Sequence, residues 1–221
     1  MKNNFFLISI LAVFALSCKK ETTEKTVTLQ PGPSDGNSIY TTHNDSDPSW
    51  AAGNVYNLQQ ANKELPVATS TNGGAVIKSR AYVSFGLSAV PPKAEIVSAK
   101  LSLFGLPSSF TIPQGNQGDN TVLIQRITDN WSQTSMTWNN QPSTTSEGQV
   151  TVPGTTTRFN YNMVDVDVTG LVKAMRANTP DKTGGFCIRL KNETPVNTVI
   201  FASSRNADEA KRPKLVIIYK D

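Results

Sequence analysis

Residues 98–103 read S-A-K-L-S-L. Ala99, Leu101 and Leu103 alternate with Ser98, Lys100 and Ser102, and a period of two is the spacing of a strand with one face buried. The stretch R-A-Y-V-S-F (80–85) repeats the pattern, setting Ala81, Val83 and Phe85 against Arg80, Tyr82 and Ser84. So does G-F-C-I-R-L-K (185–191), with Phe186, Ile188 and Leu190 against Cys187, Arg189 and Lys191. One face of each strand is core. The other looks toward solvent or a ligand, and it repeatedly offers Arg, Lys and Tyr.

Further short apolar runs lie near 26–30, 37–42, 64–69, 96–104, 121–128, 161–167, 198–203 and 213–219, with turn residues between them. Many short strands at this spacing predict an all-β protein, a two-sheet jelly-roll-like sandwich. One helix interrupts them. In V-T-G-L-V-K-A-M-R-A-N-T-P (168–180), Val168, Leu171, Val172 and Met175 form one apolar stripe. Asp167 is placed to cap its start, Lys173 and Arg176 complement its negative end, and Pro180 closes it. The short helix is expected to plug one end of the sandwich.

The chain has 221 residues, 38% hydrophobic and 17% charged, which suits one large β domain with its own core. The net charge of +4 is mild and its basic residues are scattered, so no nucleic-acid groove is expected. Lys2, the apolar run 5–16 and then A-L-S-C (15–18) have the order of an export signal. The run is shorter than the roughly 20 residues that span a bilayer. A small residue directly before Cys18 resembles the lipobox of bacterial lipoproteins. This implies cleavage before Cys18, its acylation, and a lipid anchor in the cell envelope, at the outer membrane or cell surface. Residues 19–25 then read as a tether and 26–221 as the folded domain. Cys187, the other cysteine, is left without an intramolecular partner.

Catalytic chemistry is hard to place. His43 is the one histidine, so neither a multi-histidine zinc site nor any His-based triad away from its loop can be built. No phosphate loop or nucleophile elbow is present. Asp165 and Asp167 share a strand face, but Asp167 already serves as a cap, and a hydrolase or lyase would need His43 and the acidic loop beside Asp165. Asn37, Asn44, Asp45 and Asp47 supply the hard oxygen ligands that suit calcium, without EF-hand spacing; they read as solvated turn residues, and no cofactor is expected. Cys187, with no histidine or helix start beside it, reads as a small core residue.

The segment W-S-Q-T-S-M-T-W-N-N-Q-P (131–142) resembles the signature of DNRLRE-type domains, the group that includes family 96 carbohydrate-binding modules. The strand 80–85 with L-S-A-V-P (87–91), S-A-K-L-S-L-F (98–104), D-V-D-V-T-G-L-V (165–172), F-A-S-S-R (201–205) and R-P-K-L-V-I-I-Y (212–219) follow in the same order. Gln133 stands where those domains usually carry glutamate, and Asn37 where an acidic residue often opens the second strand. The resemblance implies a non-catalytic module that binds polysaccharide, with an acidic sugar such as alginate indicated. Trp131 and Trp138 would then be chiefly architectural, packed across an end of the sandwich. Arg80, Tyr82, Lys100, Arg189 and Lys191 are the candidate ligand-binding residues, because guanidinium groups grip carboxylates with paired hydrogen bonds. The alternative is a structural or adhesive module that contacts other surface proteins.

Overall fold

The protein is described here by a computed structural model covering residues 23–34, 37–178 and 184–221. The leader, Cys18, most of the tether and Pro180 lie outside the described residues. In chain order, β1 (Glu24–Leu29) and β2 (Asn37–Asn44) precede a one-turn helix α1 (Ser49–Ala52). Then come β3 (Glu64–Asn72), β4 (Ala75–Ser84), β5 (Glu95–Leu103), β6 (Val122–Ile127), β7 (Thr144–Val152) and β8 (Met163–Asp167). The helix α2 (Thr169–Asn178) leads into β9 (Phe186–Leu190), β10 (Asn197–Ala202) and β11 (Lys214–Lys220).

The strands form a two-sheet sandwich. The smaller sheet has the order β1-β11-β5-β8. The larger runs β10-β3-β4-β9-β6-β7, with β2 on the free side of β4, and curls into a half-barrel. The alternation seen in the sequence fills the space between them. Ala99, Leu101 and Leu103 of β5 meet Leu215 and Ile217 of β11 and, from the larger sheet, Val83, Ile124, Phe186 and Ile188. Fully burying one such side chain contributes roughly 1.5–3 kcal/mol, so this layer dominates the stability of a domain with no disulfide among its described residues.

The helix stripe is borne out: Val168, Leu171, Val172 and Met175 are all buried in the same core. Its start is tied twice to β5. The Val168 N–H donates to the Ala99 carbonyl (3.0 Å), and the Ala99 N–H donates to Thr169 Oγ1 (2.9 Å). Asp167 accepts the Thr169 N–H at 3.0 Å. The cap is therefore the interaction expected, set at the first helical residue.

Three differences from the sequence reading stand out. The ladder of β1 begins at Glu24, because Lys25 pairs with Asp221 and Glu24 with Lys220 (3.3 Å) beside the backbone pairing with β11. The strand β7 has no counterpart among the expected strands; in its T-T-S-E-G-Q-V-T-V only Val150 and Val152 pack against the core, and it is an edge strand, paired only with β6. Lastly, the second face of β4 and β9 is not open. Segments 45–63 and 128–143 fold over it and build a second apolar cluster from Ile39, Tyr82, Ile127, Met136 and Cys187, with Trp131 packed against it.

Candidate functional site

Arg80 lies at the centre of the covered face. It donates from Nε and Nη2 to the two carboxylate oxygens of Glu193, both at 2.8 Å, and from Nη1 to Gln141 Oε1 at 3.1 Å. Its guanidinium lies 4.7 Å from the centre of the Trp138 ring, whose other neighbour is the His43 ring at 5.4 Å. Arg189 reaches the same Glu193 carboxylate at 3.0 Å. Burial by itself would raise the Glu193 carboxyl; the hydrogen bonds from Arg80 and the charges of Arg80, Arg189 and Lys78 outweigh it and hold the carboxyl below its usual range.

The five candidate cationic and aromatic side chains are therefore brought together only in part. Arg80, Tyr82 and Arg189 share one face of the larger sheet, and exposed Lys191 follows the end of β9. Tyr82 is 1% exposed, gives its hydroxyl to Gln141 (2.6 Å) and packs against Trp131, so no sugar ring can lie on it. Lys100 is on the other sheet and pairs with Asp167 at 2.8 Å. The candidates thus divide between a charge-compensated cluster and a separate surface pair. The physical reason is that alternation tells which side chains leave the core and says nothing of what covers them.

The tryptophan segment also sits elsewhere than expected. It packs on the covered face of the larger sheet rather than across an end of the sandwich. Trp131 donates its indole N–H to the Gly184 carbonyl at 2.7 Å. The segment then braces the neighbouring loop: the Asn139 N–H donates to the Ala51 carbonyl (3.0 Å), and Asn54 Nδ2 donates to the carbonyls of Gln133 (3.1 Å) and Met136 (2.6 Å). Those bonds fix α1 and, with it, Trp50.

His43 belongs to β2 of the larger sheet, where its Nδ1 lies 3.2 Å from Asp45 Oδ1, and Asp165 to β8 of the smaller, where it meets Ser102. The oxygen-rich turn is occupied locally. Asn44 Oδ1 accepts from the N–H and hydroxyl of Ser46 (3.0 and 2.9 Å), and Asp47 Oδ1 from those of Ser49 (3.0 and 2.6 Å). The Asn37 side chain lies outside the described residues, among which no three His, Cys, Asp or Glu gather as metal ligands.

A second feature was not foreseen. The β2–β4 ribbon is long enough to serve two purposes: Ala81 and Val83 enter the core, while Ile77 and Ser79 line an open groove of about 780 Å³. The intervening Lys78 and Arg80 belong, by the strand alternation, to the ribbon's other face. The groove floor is Tyr40 and Thr42 of β2 with Pro66 and Ser70 of β3; its walls are segments 50–61 and 110–117, closed by Val196. Its volume is that of an ordinary small-ligand site, roughly 300–1,000 Å³.

Four of the five large hydrophobic side chains exposed among the described residues line this groove: Trp50, Leu58, Phe110 and Val196. Phe110 is 68% exposed and Trp50 37%. Phe110 is held there from below. Glu64, itself buried, accepts the backbone N–H groups of Phe110 (2.7 Å) and Thr111 (3.0 Å) and the hydroxyls of Ser109 (2.8 Å) and Thr111 (2.6 Å). A buried carboxylate that saturates itself on one loop tip fixes an aromatic ring in water before any ligand arrives. The sequence signal for this groove is a third tryptophan in D-P-S-W (47–50) and a lone phenylalanine in the polar loop S-S-F-T (108–111).

The profile of carbohydrate-binding module family 96 matches residues 60–219. The chain belongs to this family. A search of curated proteins finds no match to the chain. The family assignment points to carbohydrate binding and agrees with the sandwich architecture. Phe110 and the groove residues of β3 and β4 lie inside the matched span of this family 96 domain, whereas α1 with Trp50, and β2, precede it.

Proposed function

We infer that this domain binds polysaccharide without cleaving it, and that the chain lies in the groove beneath Trp50 and Phe110. The observation that carries the reading is the meeting of a 780 Å³ open groove with two exposed aromatic rings at its rim. Flat aromatic faces cover the C–H faces of pyranose rings, and nearby hydroxyls and amides replace the water bonded to sugar hydroxyls. The turn built on Glu64 supports this by ordering Phe110 in advance, which lowers the entropy lost on binding.

The test is electrophoresis of the full chain through gels containing soluble polysaccharides. Retardation in at least one gel is expected, and Phe110→Ala should weaken it about tenfold, equivalent to about 1.4 kcal/mol. If no polysaccharide retards the protein, it is a structural or adhesive module instead. The reading for an acidic, alginate-like sugar has its own support: Arg189 Nε is buried with no hydrogen-bond partner among the described residues, beside exposed Lys191. Such binding would weaken with salt and disappear in Arg189→Ala/Lys191→Ala. The export signal and A-L-S-C motif support a lipid-anchored protein of the cell envelope, with Cys18 as the acylated residue. Labelled palmitate should be incorporated by the wild-type chain and not by Cys18→Ser; equal incorporation would refute the anchor.

A further inference from the structure

We propose that the groove selects an uncharged glycan, so that this protein's main ligand is a neutral polysaccharide rather than a uronic-acid polymer. This rests on the reading of the groove as the carbohydrate site and specifies what enters it. The first observation is the lining. Among the described residues, every polar side chain along the groove is a hydroxyl or an amide, such as Thr42, Asn54, Ser70, Thr111 and Gln117, and none is Asp, Glu, Lys, Arg or His. Hydroxyls and amides both donate and accept, which matches sugar hydroxyls. They supply no counter-charge for a carboxylate, and desolvating an unpaired carboxylate against Trp50, Leu58 and Phe110 is strongly unfavourable.

The second observation concerns the cations. The cations of the lining strand β4, Lys78 and Arg80, alternate to the opposite face from Ile77 and Ser79, and Arg158, outside the lining, gives its Nε–H to the Gln114 carbonyl (2.8 Å). On that opposite face the Glu193 carboxylate already takes the bidentate seat on Arg80 and contacts Arg189. The one carboxylate near the Phe110 turn, Glu64, is buried and fully engaged, so it neither attracts cations nor repels sugar. A neutral glycan satisfies both halves of the lining.

The experiment uses the full chain with hydroxyethylcellulose, xyloglucan and galactomannan as uncharged probes and alginate and polygalacturonate as charged ones, each at low salt and at about 0.5 M salt, where screening acts within about 4–5 Å. The proposal expects retention by at least one uncharged probe, unchanged by salt, and reduced about tenfold in Phe110→Ala and again in Trp50→Ala. Because Phe110 is exposed, its variant should keep the wild-type thermal midpoint, which separates lost binding from lost folding. Retention by alginate or polygalacturonate alone that still depends on Phe110 overturns the neutral selectivity and leaves the groove as the site. Retention by those probes that depends on Arg189 and Lys191 but not on Phe110 overturns the groove as well. Failure of every probe to retain the wild-type chain overturns both.

Discussion

Glu193 shows why individual cations on this face are poor guides to ligand. Its carboxylate holds Arg80 and Arg189 together from the β9–β10 loop, half-shielded from water. Removing it leaves a partly buried guanidinium without its bidentate partner, and Glu193→Gln should destabilise the domain by about 2–4 kcal/mol in urea titrations at neutral pH. The carboxyl is held below its ordinary value of 4.5, so its contribution is complete above that pH and is lost as pH falls through the lower, folded-state value. Wild-type stability should therefore fall below about pH 4.5 more steeply than that of Glu193→Gln; parallel acid profiles would show that the ion pair contributes little. Cys187 illustrates the opposite case. Burial pushes its thiol up to about 11, so it should resist alkylation in the native protein at pH 8 and react at once in denaturant. Rapid native labelling would mean that the cover of segments 45–63 and 128–143 opens readily.

At the scale of elements, strands were legible where apolar and polar residues alternate in the sequence, as in residues 80–84 of β4, 98–103 of β5 and 186–190 of β9. The strand β7 was not, since its first six residues, T-T-S-E-G-Q, are polar or glycine and only Val150 and Val152 carry an apolar signal. Gly148, at φ +66, further breaks its pattern. The face of a strand was readable, but its cover was not: Arg80 and Tyr82 alternate correctly and still end beneath Gln141 and Trp131. Loops made the groove, and the exposure of Trp50 and Phe110 depends on tertiary contacts far away in sequence. The 108–111 turn gives a prediction at this scale. Glu64→Ala should cost about 2 kcal/mol, lowering the thermal midpoint by roughly 4–8 °C, and should weaken glycan binding as Phe110 loses its support. Glu64→Gln, which keeps one acceptor oxygen, should recover part of the affinity. Unaltered affinity in both variants would show that the ring does not need a fixed turn.

For the whole molecule, the two faces of the β2–β4 ribbon divide the work. One is sealed by the tryptophan segment and its charge cluster, which stabilises the larger sheet and braces α1. The other stays open as the groove. The family assignment covers β3 to β11 and one of the two aromatic platforms, while α1, upstream of the matched residues with β1 and β2, supplies the other. Specificity in this chain can thus differ from that of the shared scaffold through a segment outside it. Of the tryptophans, Trp50 is the one expected to meet the ligand. The chain has three, and each gives one indole N–H signal in a nitrogen–proton correlation spectrum. Titration with an oligosaccharide of the best-retained uncharged polysaccharide should shift the Trp50 indole and leave Trp131, bonded to Gly184, and Trp138, beside Arg80, in place. A shift of Trp138 with Trp50 unmoved would contradict the account and return the site to the cationic face.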